Sequence, residues 1–131
     1  MMLKNALFDS FQLGNLTLKN RIVMAPMTRS FSPNENIPGD DVVDYYRRRA
    51  EGGVGLIITE GTCVDHPGAS GYLDVPYFYG EARLAGWKKV VEAVHGAGGK
   101  IAPQLWHVGA VRKAGVLPEG DVPGYGPSGM N

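Results

Sequence analysis

The chain has 131 residues with 13 basic and 13 acidic side chains, so it has no net charge to attract a nucleic acid or an anionic membrane, and neither partner is expected. Apolar residues make up 44% of the sequence, which excludes a disordered chain and is enough for one domain with a hydrophobic core. A single cysteine, Cys63, excludes an internal disulfide and, with no signal-peptide pattern or membrane-length apolar run, predicts a cytoplasmic protein in which Cys63 is a small buried hydrophobe.

The first predicted element is a β-hairpin across residues 8–19. Gly14-Asn15 lies between alternating apolar residues and supplies the positive φ that a tight turn needs. The next segment, Ile22–Thr28, is a nearly continuous apolar run, which is typical of a strand covered on both faces. Pro26 cannot donate a ladder hydrogen bond, so this strand is predicted to end at an exposed edge of its sheet.

A helix is predicted from about Val42 to Glu51, with Asp40 or Asp41 as its N-cap and Gly52-Gly53 after its end. Apolar residues recur every four positions in this segment and define a buried stripe of Val42, Tyr46 and Ala50. The following segment, Val54–Val64, has a β-branched centre and is the second strand predicted after the hairpin.

A long loop then extends to Gly80, and a second helix is predicted from about Glu81 to His95. Its buried side is predicted to consist of Leu84, Trp87, Val91 and Val94. The third strand is Ile101–His107. Residues 109–131 are rich in glycine and proline and are predicted to form a loop or tail.

Strands that alternate with helices of about 10–15 residues predict parallel pairing through right-handed crossovers. The long loops follow the carboxyl ends of the strands, as in a (β/α)8 TIM barrel, and no Gly-rich turn of a doubly wound nucleotide-binding fold follows the first strand. A whole barrel needs about 200 residues or more. Residues 1–131 are therefore predicted to be an α/β segment, the N-terminal part of a single TIM-barrel domain, made of a hairpin lid and then strand, helix, strand, helix and strand. One face and both edges of its sheet would be uncovered.

Polar or small residues lie at or close to the carboxyl ends of all three predicted parallel strands, at Thr28, Gly61 and Gln104. The carboxyl ends of parallel strands meet at one edge of a sheet, where TIM-barrel chemistry is located. A glutamine amide donates and accepts at once, which suits the edge of a planar heterocycle such as a flavin. The pattern therefore predicts a cofactor platform at this edge.

Four segments, residues 18–29, 55–61, 86–88 and 101–109, resemble the Old Yellow Enzyme family, which are NADH:flavin oxidoreductases that act as FMN-dependent ene-reductases. The resemblance implies an FMN-containing barrel closed at its base by the hairpin. It also implies hydride transfer from NADPH or NADH through the flavin to an activated, enone-like alkene. The family's substrate-binding His/His or His/Asn pair and its proton-donating tyrosine lie after the third strand, so no catalytic residue is expected within this chain. No metal ligand is expected either.

The resemblance implies a set of flavin contacts: Ala25, Pro26, Met27, Thr28, Gly61 and Gln104. The Thr28 hydroxyl is expected to donate to the anionic reduced ring, and Gln104 to pair with its pyrimidine edge. Pro26 and Gly61 would let the backbone approach the ring. The alternatives are local: Thr28 bonding its own backbone, Gln104 satisfying a strand end, and structural turns at Pro26 and Gly61.

The resemblance also implies a substrate pocket lined by Trp106 and Tyr72. A core tryptophan is the alternative for Trp106, which shares a strand face with Gln104, and two nearby tyrosines, Tyr77 and Tyr79, compete with Tyr72 for the pocket role. His107 falls on the opposite face and is interpreted as a structural imidazole.

At the position where the family has an arginine after the histidine and glycine, this chain has Ala110, and Arg112 is a candidate substitute. Arg29, which follows Thr28, is interpreted as a surface or interface residue.

Two other functions remain possible from the sequence. The chain could be a non-catalytic fragment or half-barrel, completed by a second chain or by homo-oligomerisation. It could also resemble a tRNA-dihydrouridine synthase, which begins with a similar Ala-Pro-Met strand end. The absence of net basic charge and the segment from Gln104 to His107 argue against that alternative.

Overall fold

A computed structural model describes residues 6–112, 115 and 120–129 of the chain. The elements follow the predicted order: β1 (Phe11–Leu13), β2 (Leu16–Leu18), β3 (Val23–Met24), α1 (Asp40–Glu51), β4 (Leu56–Cys63), α2 (Glu81–Gly96) and β5 (Ile101–Trp106). Single 3-10 turns lie at Ala6–Phe8 and Gly109–Val111. Of the predicted tail, residues 113–114, 116–119 and 130–131 lie outside the described part of the chain.

The sheet has β4 between β3 and β5, and both pairs are parallel because a helix crosses over between each strand and the next. Met24, Ile57 and Ile101 pair across the three strands and pack against the core that α1 and α2 form. Both helices therefore cover the same face. On the other face Val23 is 49% exposed, as expected for the inner wall of an incomplete barrel.

The buried stripe of α1 is confirmed, because Val42, Tyr46 and Ala50 are all at most 1% exposed. The N-cap prediction was wrong. Gly39 occupies the N-cap position, and Asp40 and Asp41 lie in the first turn instead. There the carboxylates still face the positive end of the helix dipole, which favours negative charge.

The buried side of α2 differs from the predicted one. Trp87 and Val94 are buried as predicted, but Leu84 and Val91 are 44% and 36% exposed, and Val90 is fully buried instead. The helix turns the face with Trp87 and Val90 toward α1. Close approach is possible because Gly86 lies against the segment before α1, where a β-carbon would be 2.9 Å from the Pro38 carbonyl oxygen.

The strand β3 is much shorter than the predicted Ile22–Thr28, although it ends before Pro26 as expected. Proline cannot donate to a ladder, and β4, the only strand beside β3 in the described residues, pairs with it at Val23 and Met24 alone. From Ala25 onward the chain leaves the sheet.

The predicted hairpin forms from β1 and β2, with Leu13 paired to Leu16 across the turn and a φ of +54° at Gly14. Residues after it attach to the end of α1 and to the turn that follows: Lys19 Nζ donates to the Ala50 carbonyl (3.2 Å) and Asn20 Nδ2 to the Gly53 carbonyl (2.7 Å). The hairpin segment is therefore joined to the amino end of β4, at the base of the sheet. Neither described helix has the length and hydrophobicity of a membrane span.

Candidate functional site

The carboxyl ends of β4 and β5 lie side by side, with Gly61 opposite Gln104 and Cys63 opposite Trp106. Between Ile58 and Gly61 the register shifts by one residue. β4 therefore contains a bulge at Thr59 and Glu60. Bulges re-aim side chains and are frequent beside active sites.

The backbone of Gln104 is fixed by two threonines of β4, Thr59 within the bulge and Thr62 after it. Its N–H donates to Thr59 Oγ1 (3.1 Å), and its carbonyl accepts from Thr62 Oγ1 (3.1 Å). The Gln104 side chain is exposed and has no hydrogen bond to any described residue. The sequence left open that this amide would bond the free backbone groups at the strand end. In the structure the hydroxyl groups of Thr59 and Thr62 bond the backbone there instead.

The segment Ala25–Thr28 is exposed and reaches the same edge of the sheet. The next residue, Arg29, donates its N–H to Glu60 Oε2 at 3.0 Å, which brings Thr28 beside the end of β4. The Thr28 hydroxyl has no hydrogen bond within the described residues, so it does not bond its own backbone. Thr28, Gly61 and Gln104 thus meet at one edge, as the sequence predicted.

Glu60 is the functional-site residue that sequence reasoning missed. Its carboxylate is 1% exposed and lies between three elements. Oε2 accepts from Arg29, while Oε1 is 3.5 Å from the Tyr46 hydroxyl on α1, and that hydroxyl also accepts the Glu60 N–H at 2.8 Å. The available signal was an acidic residue at the end of an apolar strand, since carboxylates are rarely buried without partners.

Burial raises the pKa of the Glu60 carboxyl, and the N–H and positive charge of Arg29 oppose that rise. Burial also raises the pKa of the Tyr46 phenol, which stays protonated. The guanidinium of Arg29 stacks on Tyr45 at 3.5 Å from the ring centroid, and one of its nitrogens is buried without a partner among the described residues. Arg29 is therefore less of a surface residue than expected.

Trp106 at the end of β5 and Tyr72 in the loop after β4 stack with ring centroids 5.3 Å apart. The indole lies directly over Gly61, where an added β-carbon would overlap Trp106 Cε3. The absence of a side chain at Gly61 is thus required by Trp106. Tyr72 and Trp106 line a cleft of about 140 Å³ with Val108 and Val111.

Of the competing tyrosines, Tyr77 is 3% exposed in a small core beneath the loop, and Tyr79 stacks on it. A larger cleft, about 340 Å³, is lined by both Tyr72 and Tyr77. Its walls come from the loops after β3 and β4, including Glu35, Asn36 and Asp74. Tyr72 therefore lines two clefts, the smaller one shared with Trp106 and the larger one with Tyr77.

His107 joins the loops that follow β4 and β5. Its Nδ1 accepts from the Gly109 N–H (3.0 Å), so its Nε2 carries the proton and donates to Nδ1 of His66 (3.0 Å). Partial burial and the neighbouring His66 lower the pKa of His107. The contacts agree with the structural role expected of this imidazole.

Arg112 is 3% exposed and donates to the backbone carbonyls of Ser70 and Val122. Its guanidinium therefore joins the loop after β4 to the loop after β5. These contacts argue against Arg112 as a substitute for the arginine that Ala110 replaces.

The chemical capacity of this edge is that of a binding platform. It offers one free amide, one free hydroxyl, exposed backbone at Ala25–Thr28 and two stacked aromatic rings. Donors and acceptors at the edge of an open face fit a planar heteroaromatic cofactor such as FMN. No cluster of three or more metal-ligating side chains occurs in the described residues.

Comparison with known proteins identifies relatives that share this arrangement of elements. Residues 6–130 match the model of the NADH:flavin oxidoreductase / NADH oxidase family. 12-Oxophytodienoate reductase 7 of Oryza sativa subsp. japonica is 41% identical over 117 residues, which are 89% of this chain and 29% of that protein.

Two solved structures extend the comparison. A structure of morphinone reductase in complex with tetrahydroNAD is 49% identical with a TM-score of 0.82, over 92% of this chain and 32% of that one. The old yellow enzyme homologue from Zymomonas mobilis is 38% identical with a TM-score of 0.74, over 80% and 29%. The chain thus spans about 30% of the length of its relatives, and its sheet and helices are part of their barrel fold. This chain belongs to the NADH:flavin oxidoreductase / NADH oxidase family.

Proposed function

We propose that the protein containing these residues is an FMN-dependent oxidoreductase that passes a hydride from NADPH or NADH to an activated alkene. The observation that carries the proposal is the meeting of Thr28, Gly61 and Gln104 at one edge of the sheet, two of them with unpaired polar side chains. Bound FMN would supply the hydride relay between the nicotinamide and the alkene.

The residues of this chain bind and orient the cofactor in the proposal. The Gln104 amide donates to and accepts from the pyrimidine edge of the ring, and its backbone is already fixed by Thr59 and Thr62. The Thr28 hydroxyl donates to a ring position that becomes negative on reduction, where a charged partner strengthens the hydrogen bond. Ala25, Pro26 and Met27 provide exposed backbone beside the ring, and Gly61 provides backbone on the neighbouring strand.

The substrate pocket is proposed at the pair of Trp106 and Tyr72. Their stacked rings and the adjacent valines form an apolar wall suited to the carbon skeleton of an enone-like substrate. The bulge in β4 supports this geometry, because it places Gly61 under the indole and leaves the tryptophan against the strand end.

Residues 1–131 are proposed to be one segment of a single FMN-binding domain, with residues 8–19 as a lid at its base and residues 109–131 as a loop. The catalytic donors are contributed by other parts of the protein, since the free polar groups at this edge are an amide and a hydroxyl. A reducing, cytoplasmic location agrees with the one cysteine, which is free and buried.

The experiment compares residues 1–131 with the natural gene product that contains them. Each is titrated with FMN, and NADPH and NADH oxidation is followed with cyclohexenone as acceptor. We expect flavin binding and turnover from the gene product and little or no turnover from residues 1–131 alone. Absence of FMN binding by the gene product would refute the proposal. Robust turnover by residues 1–131 would refute the assignment of the catalytic donors to other parts of the protein.

Matched variants test the assigned residues. Gln104→Ala and Thr28→Ala are expected to weaken FMN binding by about 10-fold each, the effect of losing one hydrogen bond to a polar ring. Glu92→Ala, on the exposed side of α2, is the control and should bind FMN as the wild type does. Unchanged binding in both site variants would contradict the assigned contacts.

A second function, that of a half-barrel completed by another chain or by a second copy, is favoured by one observation. The open face and its surroundings expose large apolar side chains, among them Val23 at 49% and Leu105 at 59%. Sizing chromatography with a hydrophobic dye tests it: a monomer of 14.1 kDa without dye binding would argue against a completing partner. The dihydrouridine synthase alternative is not retained, because the family match is to NADH:flavin oxidoreductases.

A further inference from the structure

We propose that Glu60 is a positioning residue whose buried carboxylate fixes the segment carrying Thr28 against the end of β4, so that Thr28 and Gly61 face one bound flavin. This inference rests on the proposed function. It concerns a residue that need not touch the cofactor, because Glu60 is buried on the helix side of the sheet edge.

The segment that carries Thr28 has few other attachments. β3 ends at Met24, and residues 25–28 make no hydrogen bond to other described residues. The first anchor after the strand is the Arg29 N–H, which donates to Glu60 Oε2 at 3.0 Å. The position of the Thr28 hydroxyl therefore depends on Glu60.

The carboxylate is in turn oriented by two features of the fold. The register shift between Ile58 and Gly61 places Glu60 in the bulge of β4. The Tyr46 hydroxyl on α1 then accepts the Glu60 N–H at 2.8 Å and lies 3.5 Å from Oε1. One side chain thus connects a strand end, a helix and the segment after β3.

A carboxylate suits this task because its two oxygens accept hydrogen bonds and donate none when ionised. An amide at this position would keep one acceptor for the Arg29 N–H, whereas a leucine of similar size would remove both. This difference gives a graded series in which Glu60→Gln retains part of the anchor and Glu60→Leu removes it.

The test uses the FMN-loaded natural gene product and four variants: Glu60→Leu, Glu60→Gln, Thr28→Ala and the Glu60→Leu/Thr28→Ala double variant. FMN dissociation constants and the reduction potential of the bound flavin are measured for each. We expect about 10-fold weaker FMN binding for Glu60→Leu and a smaller loss for Glu60→Gln, as for one removed hydrogen bond. The potential should become more negative in both variants, because Thr28→Ala removes the hydroxyl donor to the reduced ring and Glu60→Leu displaces it.

The double variant distinguishes positioning from general stability. If Glu60 acts through Thr28, adding Glu60→Leu to Thr28→Ala should change the potential no further. Additive shifts, or a Glu60→Leu variant that melts earlier but keeps the wild-type potential and FMN affinity, would overturn the inference. Glu92→Gln, on the exposed side of α2, is the matched control for removing a carboxylate.

Two further results keep the outcomes separate. If Glu60→Leu does not fold, Tyr46→Phe removes the hydroxyl that orients Glu60 while keeping the carboxylate, and it should shift the potential in the same direction by less. No shift in Tyr46→Phe and Glu60→Gln would then overturn the inference. A wild-type gene product that binds no FMN would refute the proposed function itself, whereas normal binding with inert Glu60 variants refutes only the role of Glu60.

Discussion

Replacing Gly61 by alanine should destabilise the protein by displacing Trp106. A β-carbon built at Gly61 meets the indole, with Trp106 Cδ2 at 2.5 Å and Cζ3 at 2.7 Å. All three of its nearest contacts are in that ring, so the indole must rotate away. Rotation would also break its stacking on Tyr72, at present 5.3 Å between centroids.

The expected cost is about 1–3 kcal/mol of unfolding free energy, the usual range for forcing one extra carbon into a packed site. About 0.5–1.5 kcal/mol of that range can come from the lost pair of aromatic rings. Urea unfolding followed by far-UV circular dichroism measures the free energy. Near-UV circular dichroism reports the environments of the two tryptophans, Trp87 and Trp106.

A double-mutant cycle identifies the cause. In a Trp106→Ala background the ring is absent, so Gly61→Ala should cost close to nothing. Gly96→Ala is the matched control, because a β-carbon at Gly96 meets nothing within 4 Å at the end of α2. It should be neutral or stabilising by up to about 1 kcal/mol. An equal loss from Gly61→Ala with and without the indole would refute the reasoning.

The remaining predictions concern the core, the buried hydroxyl and the loop imidazole. Val90→Ala should lower the free energy of unfolding by about 1–3 kcal/mol and Val91→Ala by clearly less, since the first side chain is 0% exposed and the second 36%. Thermal or urea unfolding of the two variants measures this, and equal losses would mean that the observed buried face of α2 is wrong. Tyr46→Phe should cost about 1–3 kcal/mol because the buried Glu60 N–H loses its acceptor; a loss below about 0.5 kcal/mol in urea unfolding would mean that this hydrogen bond contributes little. The pKa of His107 is lowered in the folded state, so the unfolded chain takes up a proton more readily and the free energy of unfolding should fall as the pH drops below about 6.5. His107→Gln should flatten this part of the plot of unfolding free energy against pH. An unchanged plot would exclude this imidazole as the cause.

Local patterns accounted for the elements and their order. The recurrence of Val42, Tyr46 and Ala50 marked the buried side of α1, and the Gly14-Asn15 turn marked the hairpin, because helical period and positive φ are properties of a few neighbouring residues. The alternation of strands and helices was enough to predict that Thr28, Gly61 and Gln104 would share one edge. In each of these cases the relevant interactions lie close together along the chain or follow from the handedness of crossovers.

Contacts between distant residues were decided only by the tertiary structure. Val90 and Val91 are both apolar neighbours, and which of them is buried depends on where α1 packs. The bulge in β4 depends on the pairing with β5, and it alone brings Glu60 to Arg29 and Tyr46, 31 and 14 residues away along the chain. The sequence alone thus determined which elements form and which strand ends meet, whereas the register of the sheet and the partners of its buried groups were set by packing across the whole fold, which no local pattern contains.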